Sequence, residues 1–433
     1  MINEKINNKI YKATALCTKQ LNIMYTKYFL LLLLGTFFTV GCTKDTVPSP
    51  RGEKIVLSEK SLKLVQANNS FSFSLLGKSL DGTLENRMIS PLSVSLALSM
   101  TLNGASGTTL TAMLKTLGYE NLTKDDINSI YLNLTTALLK ADPNVVMNIA
   151  NSIWIRKDFT VLDPFITTNQ TYYNAQVSKL DFNPAAVTTI NKWVSDKTSG
   201  TIPTILSTIA SNEIMFLINA IYFNGKWKYQ FETSKTANEQ FTCTDKKIVS
   251  VPMMKMESSF GYTVQSGYKA LKMPYGADKF QMVLLLPDAG TTPDKLAASL
   301  NPTSWATLTT ALQNKVKVAV WIPKWKFSWE KTMNEVLSSL GMDIAFDPNR
   351  ADFSQITGVN NLYITKVIHK TYIDVSESGT EAAAVTSVGI GYTSMPVDPP
   401  AFYLTRPFLF FITEEDTGAI LFAGKVENPL VTN

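Results

Sequence analysis

The chain of 433 residues has one histidine, His369, and three cysteines, Cys17, Cys42 and Cys243. One imidazole and no Cys/His spacing leave no basis for a metal centre, and no cofactor is implied. A Ser-His-Asp hydrolase would have to recruit His369, yet no G-x-S-x-G turn occurs, so an enzyme reading has no motif behind it. Cys17 and Cys42 lie in or at the end of an N-terminal leader, which leaves Cys243 without a partner and excludes a disulfide framework. Stability has to come from the core, as 45% hydrophobic residues in a chain of this length allow.

Charge of one sign is also lacking. The formal +5 comes mostly from residues 1–41, where Lys5, Lys9, Lys12, Lys19 and Lys27 oppose only Glu4; the remainder has 35 basic and 34 acidic residues. With neither a basic surplus nor a dense Lys/Arg run, nucleic-acid binding is not expected. Between residues 60 and 430 there is no Gly/Ser or Pro-rich linker and no repeat, so one domain over 58–433 is expected.

No apolar run is long enough to span a bilayer. Residues 28–41 (YFLLLLLGTFFTVG) form a run of about 14, preceded by Lys27 and followed by Cys42, which reads as a signal h-region. Gly41-Cys42 is similar to a bacterial lipoprotein cleavage site, with Thr39 where leucine is usual. Residues 1–41 are read as the signal segment, with Met24 as an alternative start, and 42–57 as a lipid-anchored tether. The expected location is the outer membrane or cell surface, held there by acyl chains on Cys42.

What the sequence does contain is a mixture of helices and extended strands. Residues 58–78 suggest an amphipathic helix. A buried one begins at Ser90, a natural N-cap followed by Pro91, and stops at Gly104. A further helix over 188–198 places Ile190, Trp193 and Val194 together. NSIWIRKDF (151–159), IMFLINAIYFNGKW (214–227) and KVKVAVWIPKW (315–325) read as strands, the last with Val316, Val318, Val320 and Ile322 on one face. WEKTMNEVLSSLG after it reads as a helix, and RPFLFFITEE with AILFAGKV as a hairpin. Helices early and strands late argue for an α+β fold with largely antiparallel sheets.

The most unusual segment is 377–400, ESGTEAAAVTSVGIGYTSMPVDPP, without charge from Ala382 through Val397. Thr380, Ala382, Ala384, Thr386, Val388 and Ile390 share one parity and could lie in a sheet, while Gly389, Gly391 and the Pro-rich end could equally leave the segment free. ESGTEAAAVTS resembles the hinge of an inhibitory serpin's reactive-centre loop. NRMISPLSVSLALSMTLNGASGTT, INKWVSDKTSGTIPTIL, FLINAIYFNGKWKYQF, VPMMKM, MVLLLPD, RPFLFFI and LFAGKVENP follow in serpin order, over roughly 58–429.

That resemblance implies the serpin fold, a helical cluster on three mostly antiparallel sheets with an exposed loop. It also implies irreversible protease inhibition by acyl-enzyme trapping and loop insertion. Its hinge would comprise Glu377, Gly379, Thr380, Glu381, Ala382, Ala383 and Ala384, with Val385 departing from the usual small residue. Family spacing places the scissile bond at Thr393-Ser394, suiting elastase-like or subtilisin-like proteases; Tyr392-Thr393 is the alternative and suits chymotrypsin-like ones. Trypsin-like targets are disfavoured because no Lys or Arg lies between Lys370 and Arg406. His369 would be the shutter histidine, bonded to Asn219 and near Ser90. Lys324 and Glu377 would pair beside Trp227 at the breach, where insertion begins. The implied partners are serine proteases, with cysteine proteases as a second class, met by a monomer. A non-inhibitory serpin serving as a surface binding protein is the rival reading.

Overall fold

A computed structural model describes residues 52–380 and 399–432. The first helix, α1 (Glu59–Leu80), starts where Ser58 accepts a hydrogen bond from the Ser61 amide, and it buries Leu64, Phe71, Leu75 and Leu76. After strand β1 (Arg87–Ile89) comes α2 (Pro91–Leu102), capped by Ser90 and opened by Pro91 as expected. All its residues but Ala97 are buried, because it packs on both sheets of the molecule. Helices α3 (Gly107–Leu117) and α4 (Lys124–Lys140) complete the early cluster.

A second stretch alternates strand and helix: β2 (Val145–Arg156), α5 (Asp163–Tyr173), β3 (Gln176–Leu180), α6 (Pro184–Lys197) and β4 (Met215–Lys226). Helix α6 begins earlier than residue 188 because Asn183 caps it and Pro184 occupies its first turn. Strands then dominate, with β5 (Ala237–Thr242), β6 (Ile248–Gln265), β7 (Tyr268–Pro274), β8 (Phe280–Pro287), β9 (Lys315–Pro323) and β10 (Trp325–Thr332). The last are β11 (Ile368–Ser376), β12 (Gly379–Thr380), β13 (Ala401–Tyr403), β14 (Phe408–Glu414) and β15 (Ile420–Val426).

Two sheets result. One is six-stranded in the order β10-β11-β12-β4-β2-β3; the other is nine-stranded, β1-β15-β14-β8-β7-β6-β9-β13, with β5 on β6. Pairing is antiparallel except for β2 with β3 and β13 with β9. The three expected sheets are thus two by backbone hydrogen bonding, because the 18-residue β6 pairs along its length with β5, β9 and β7 and fuses two of them. The predicted helix from Trp329 is also corrected. Trp325, Phe327 and Trp329 alternate as buried residues in β10, which pairs rung by rung with β11, and the helix is confined to the later part, a turn of α-helix at Asn334–Leu337 that runs on as a π-helix over Ser338–Met342. The β14–β15 hairpin is present, every residue of both strands buried.

Candidate functional site

Glycine at 379 and threonine at 380 place one extra, two-residue strand in the middle of the six-stranded sheet. Thr380 lies opposite Val375 of β11 and Gly225 of β4, and Gly379 opposite Ser376 and Lys226. Gly379 has φ +149°, and a Cβ there would collide with the Gly225 carbonyl oxygen and the Lys226 Cα, so only glycine fits. Thr380 is buried, and its hydroxyl bonds the Tyr275 hydroxyl at 2.7 Å. Tyr275 stacks on Trp227 with centroids 4.4 Å apart and planes 11° apart.

Trp227 grips the turn that feeds this strand. Its indole Nε1 donates to the Ser376 carbonyl at 3.0 Å and its amide to the Ser378 carbonyl at 2.9 Å, while the Phe231 amide donates to the Glu377 carbonyl at 3.0 Å. The Glu377 carboxylate meets Lys324 Nζ at 2.9 Å and accepts from the Thr236 hydroxyl at 2.9 Å. Burial alone would raise the Glu377 pKa; the hydrogen bonds from Lys324 and Thr236 and the Lys324 charge outweigh it and hold the carboxyl below the ordinary glutamate value. Trp227, Lys324 and Glu377, separated widely in sequence, therefore form one cluster.

Below Thr380 the sheet is open. Among the described residues no backbone hydrogen bond joins β4 to β11, so the two walls face each other across a seam. A cavity of about 20 Å³ lies just under Thr380, beside Ile221, Phe223 and Ile373. A larger one, about 120 Å³, lies further down among Leu98, Leu217, Asn219, Phe353, Val367 and His369. The Ser90 amide donates to His369 Nε2 at 2.9 Å, and the Ser90 hydroxyl to the Leu421 carbonyl at 2.8 Å. Burial pushes the His369 pKa down to about 4, so the imidazole is neutral at pH 7.

The expected bond between His369 and Asn219 is not formed. Asn219 Nδ2 donates instead to Asn151 Oδ1 at 2.7 Å, and Asn151 Nδ2 to the Tyr173 carbonyl at 2.7 Å. The open seam is the physical reason, since it keeps the β4 side chain away from the β11 ring. Asn219 Oδ1 is left buried without a partner.

Sequence reasoning missed Tyr275, Thr236 and Gly225. Gly225 carried a usable signal, a glycine within a strand pattern, which marks a close approach of another backbone. Glu381, Ala382, Ala383, Ala384, Tyr392, Thr393, Ser394 and Cys42 lie outside the described residues.

A family model described as Serpin (serine protease inhibitor) matches residues 66–429. The chain belongs to the serpin family, and its fold is the serpin fold. Human leukocyte elastase inhibitor is 32% identical over 380 residues, covering 85% of this chain and all of that protein. Among solved structures, the thermophilic serpin tengpin in its native state superposes with a TM-score of 0.79 at 35% identity, covering 87% of this chain and 96% of that one. Human thyroxine-binding globulin, solved with its hormone bound, gives 0.78 at 29% identity, covering 86% and 100%. Serpins are in general protease inhibitors and not enzymes, and some relatives, such as thyroxine-binding globulin, bind other molecules instead.

Proposed function

We propose that this protein is an irreversible inhibitor of elastase-like, subtilisin-like or chymotrypsin-like serine proteases, with cysteine proteases as a second target class. One observation carries the reading: a two-residue strand already occupies the top of a seam whose walls are unpaired below it. The residues that follow it in sequence are uncharged from Ala382 through Val397 and alternate small or apolar, as a strand entering that seam requires. The likeness to human leukocyte elastase inhibitor supports the same target class.

In the proposed reaction the protease serine oxygen attacks the Thr393 carbonyl. An ester forms, the Thr393-Ser394 C–N bond breaks, and the Ser394 amine leaves with a proton from the protease's histidine. The freed segment then enters the seam before water can hydrolyse the ester. About ten new ladder bonds, each worth roughly 1 kcal/mol net, supply on the order of 10 kcal/mol to distort the attached protease. The anchor belongs to the same proposal: acyl chains on Cys42 would hold the inhibitor at the outer membrane or cell surface, and Cys42→Ser should abolish incorporation of labelled fatty acid.

The decisive test is incubation of the chain from residue 43 onward with an elastase-like protease, followed by a denaturing gel and mass spectrometry of the released peptide. A denaturation-resistant adduct with a peptide starting at Ser394 is expected. A start at Thr393 moves the reactive residue to Tyr392. Cleavage in the loop without adduct, by this protease and by a chymotrypsin-like one, would replace inhibition with the binding-protein reading.

A further inference from the structure

The larger cavity has an apolar body and a polar end. Leu98 on α2, Leu217 on β4, and Phe353, Ile356 and Val367 on the chain leading into β11 surround about 120 Å³ of free space. An apolar cavity of about 150 Å³ stays dry and accepts benzene, so the space here suits a single small ring. Leu362, Tyr363 and Ile364 also line it and are partly exposed, which gives it a way in from solvent.

The polar end is incomplete. Asn219 Oδ1 is buried without a hydrogen-bond partner, because the amide of that side chain is turned to Asn151. His369, which also lines the cavity, is buried and accepts the Ser90 amide hydrogen on Nε2. The neutral ring therefore has its own proton on Nδ1, and that donor has no partner among the described residues. A buried donor and a buried acceptor both cost free energy until something pairs with them, and one hydroxyl, which accepts and donates, can serve the two together.

Charge on the lining is already matched. Glu213 is 2% exposed, and its carboxylate accepts from the Thr365 hydroxyl at 2.5 Å and lies 3.6 Å from Lys366 Nζ. An anionic ligand would have to be buried beside that carboxylate, and a cationic one would find its anion taken by Lys366. A neutral ligand is therefore favoured.

We infer that this cavity is a binding site for a small neutral aromatic alcohol of one ring, the simplest being phenol, with its hydroxyl accepting from His369 Nδ1 and donating to Asn219 Oδ1. The ring fills the space among Leu98, Phe353 and Val367. The site goes beyond the inhibitory reading and does not depend on it.

Isothermal titration calorimetry of the full chain with phenol, toluene and benzoate tests the ligand class, and the single histidine reports the contact. Phenol should bind saturably with a dissociation constant below about 1 mM, within reach of a ligand with so few heavy atoms; benzoate should not bind. In ¹⁵N-histidine NMR, phenol should shift the His369 Nδ1 resonance more than toluene does. Ala97 lines the cavity from α2, so Ala97→Leu should fill it and abolish binding of both phenol and toluene. Asn219→Leu should weaken phenol relative to toluene by roughly fivefold, as one lost hydrogen bond would. The comparison of the three ligands in wild type needs neither variant to fold. Absence of saturable phenol binding, or binding that Ala97→Leu leaves unchanged, overturns the site. Benzoate binding as tightly as phenol, or an unmoved histidine resonance with an unchanged phenol-to-toluene ratio in Asn219→Leu, overturns the assignment of the hydroxyl and with it the ligand class.

Discussion

His369 is 4% exposed, and what surrounds it is the Ser90 amide and the Trp329 ring, so no charge compensates a proton on it. Its folded pKa of about 4 lies below the ordinary histidine value of roughly 6.5. The unfolded chain therefore takes up a proton first as pH falls, and His369's contribution is complete above about 6.5 and lost progressively down to about 4, by up to roughly 3 kcal/mol. An NMR titration of the one imidazole should give a midpoint near 4; a midpoint near 6.5 would mean the ring is hydrated. Glu377 has the ordinary carboxylate sign: its folded pKa is depressed, so its stabilisation is present above the unfolded glutamate value and lost as pH falls through the folded one. Glu377→Gln removes the pair with the half-exposed Lys324 and should cost about 1 kcal/mol at neutral pH. Melting wild type and variant across acid pH should show the two curves converging as the carboxylate protonates, and parallel curves would refute the pairing.

At the scale of elements, β12 is the most sensitive piece. Thr380→Arg would have to bury a charge beside Tyr275 and Trp227, which costs several kcal/mol unless it is paired. On the proposed mechanism this variant should be cleaved by the target protease without forming adduct, and undiminished adduct on a gel would contradict it. Helix α2, strand β4 and the β14–β15 hairpin were legible because caps, turn residues and apolar periodicity are local signals. Strand β10 was not: Glu330, Lys331 and Met333 have helical propensity, and pairing with β11, some forty residues on, overrode it. No local pattern could reveal a two-residue strand such as β12, whose existence depends on both neighbours. Tyr275 was equally hidden, since its bond to Thr380 spans 105 residues of sequence. The His369–Ser90 contact could be anticipated from motif resemblance, but the distance between His369 and Asn219 depends on how far the sheet is open, which no motif encodes.

For the molecule as a whole, the seam leaves backbone groups of β4 and β11 without sheet partners beneath β12 among the described residues. Filling it should make the cleaved form more stable than the intact one. With roughly 10 kcal/mol of new ladder bonds, the melting midpoint should rise by more than about 10 °C after a cut in the loop. An unchanged midpoint in scanning calorimetry would show that the segment stays outside the sheet. Among the described residues there is one such seam, and on the proposed function one segment, the chain after Thr380, fills it. Under that proposal the molecule would be a reagent with a stoichiometry of one, consumed with the protease it stops. On the proposed function, protection of a surface is then limited by how many copies stand there and how quickly synthesis replaces those used, and no improvement in turnover can substitute for supply.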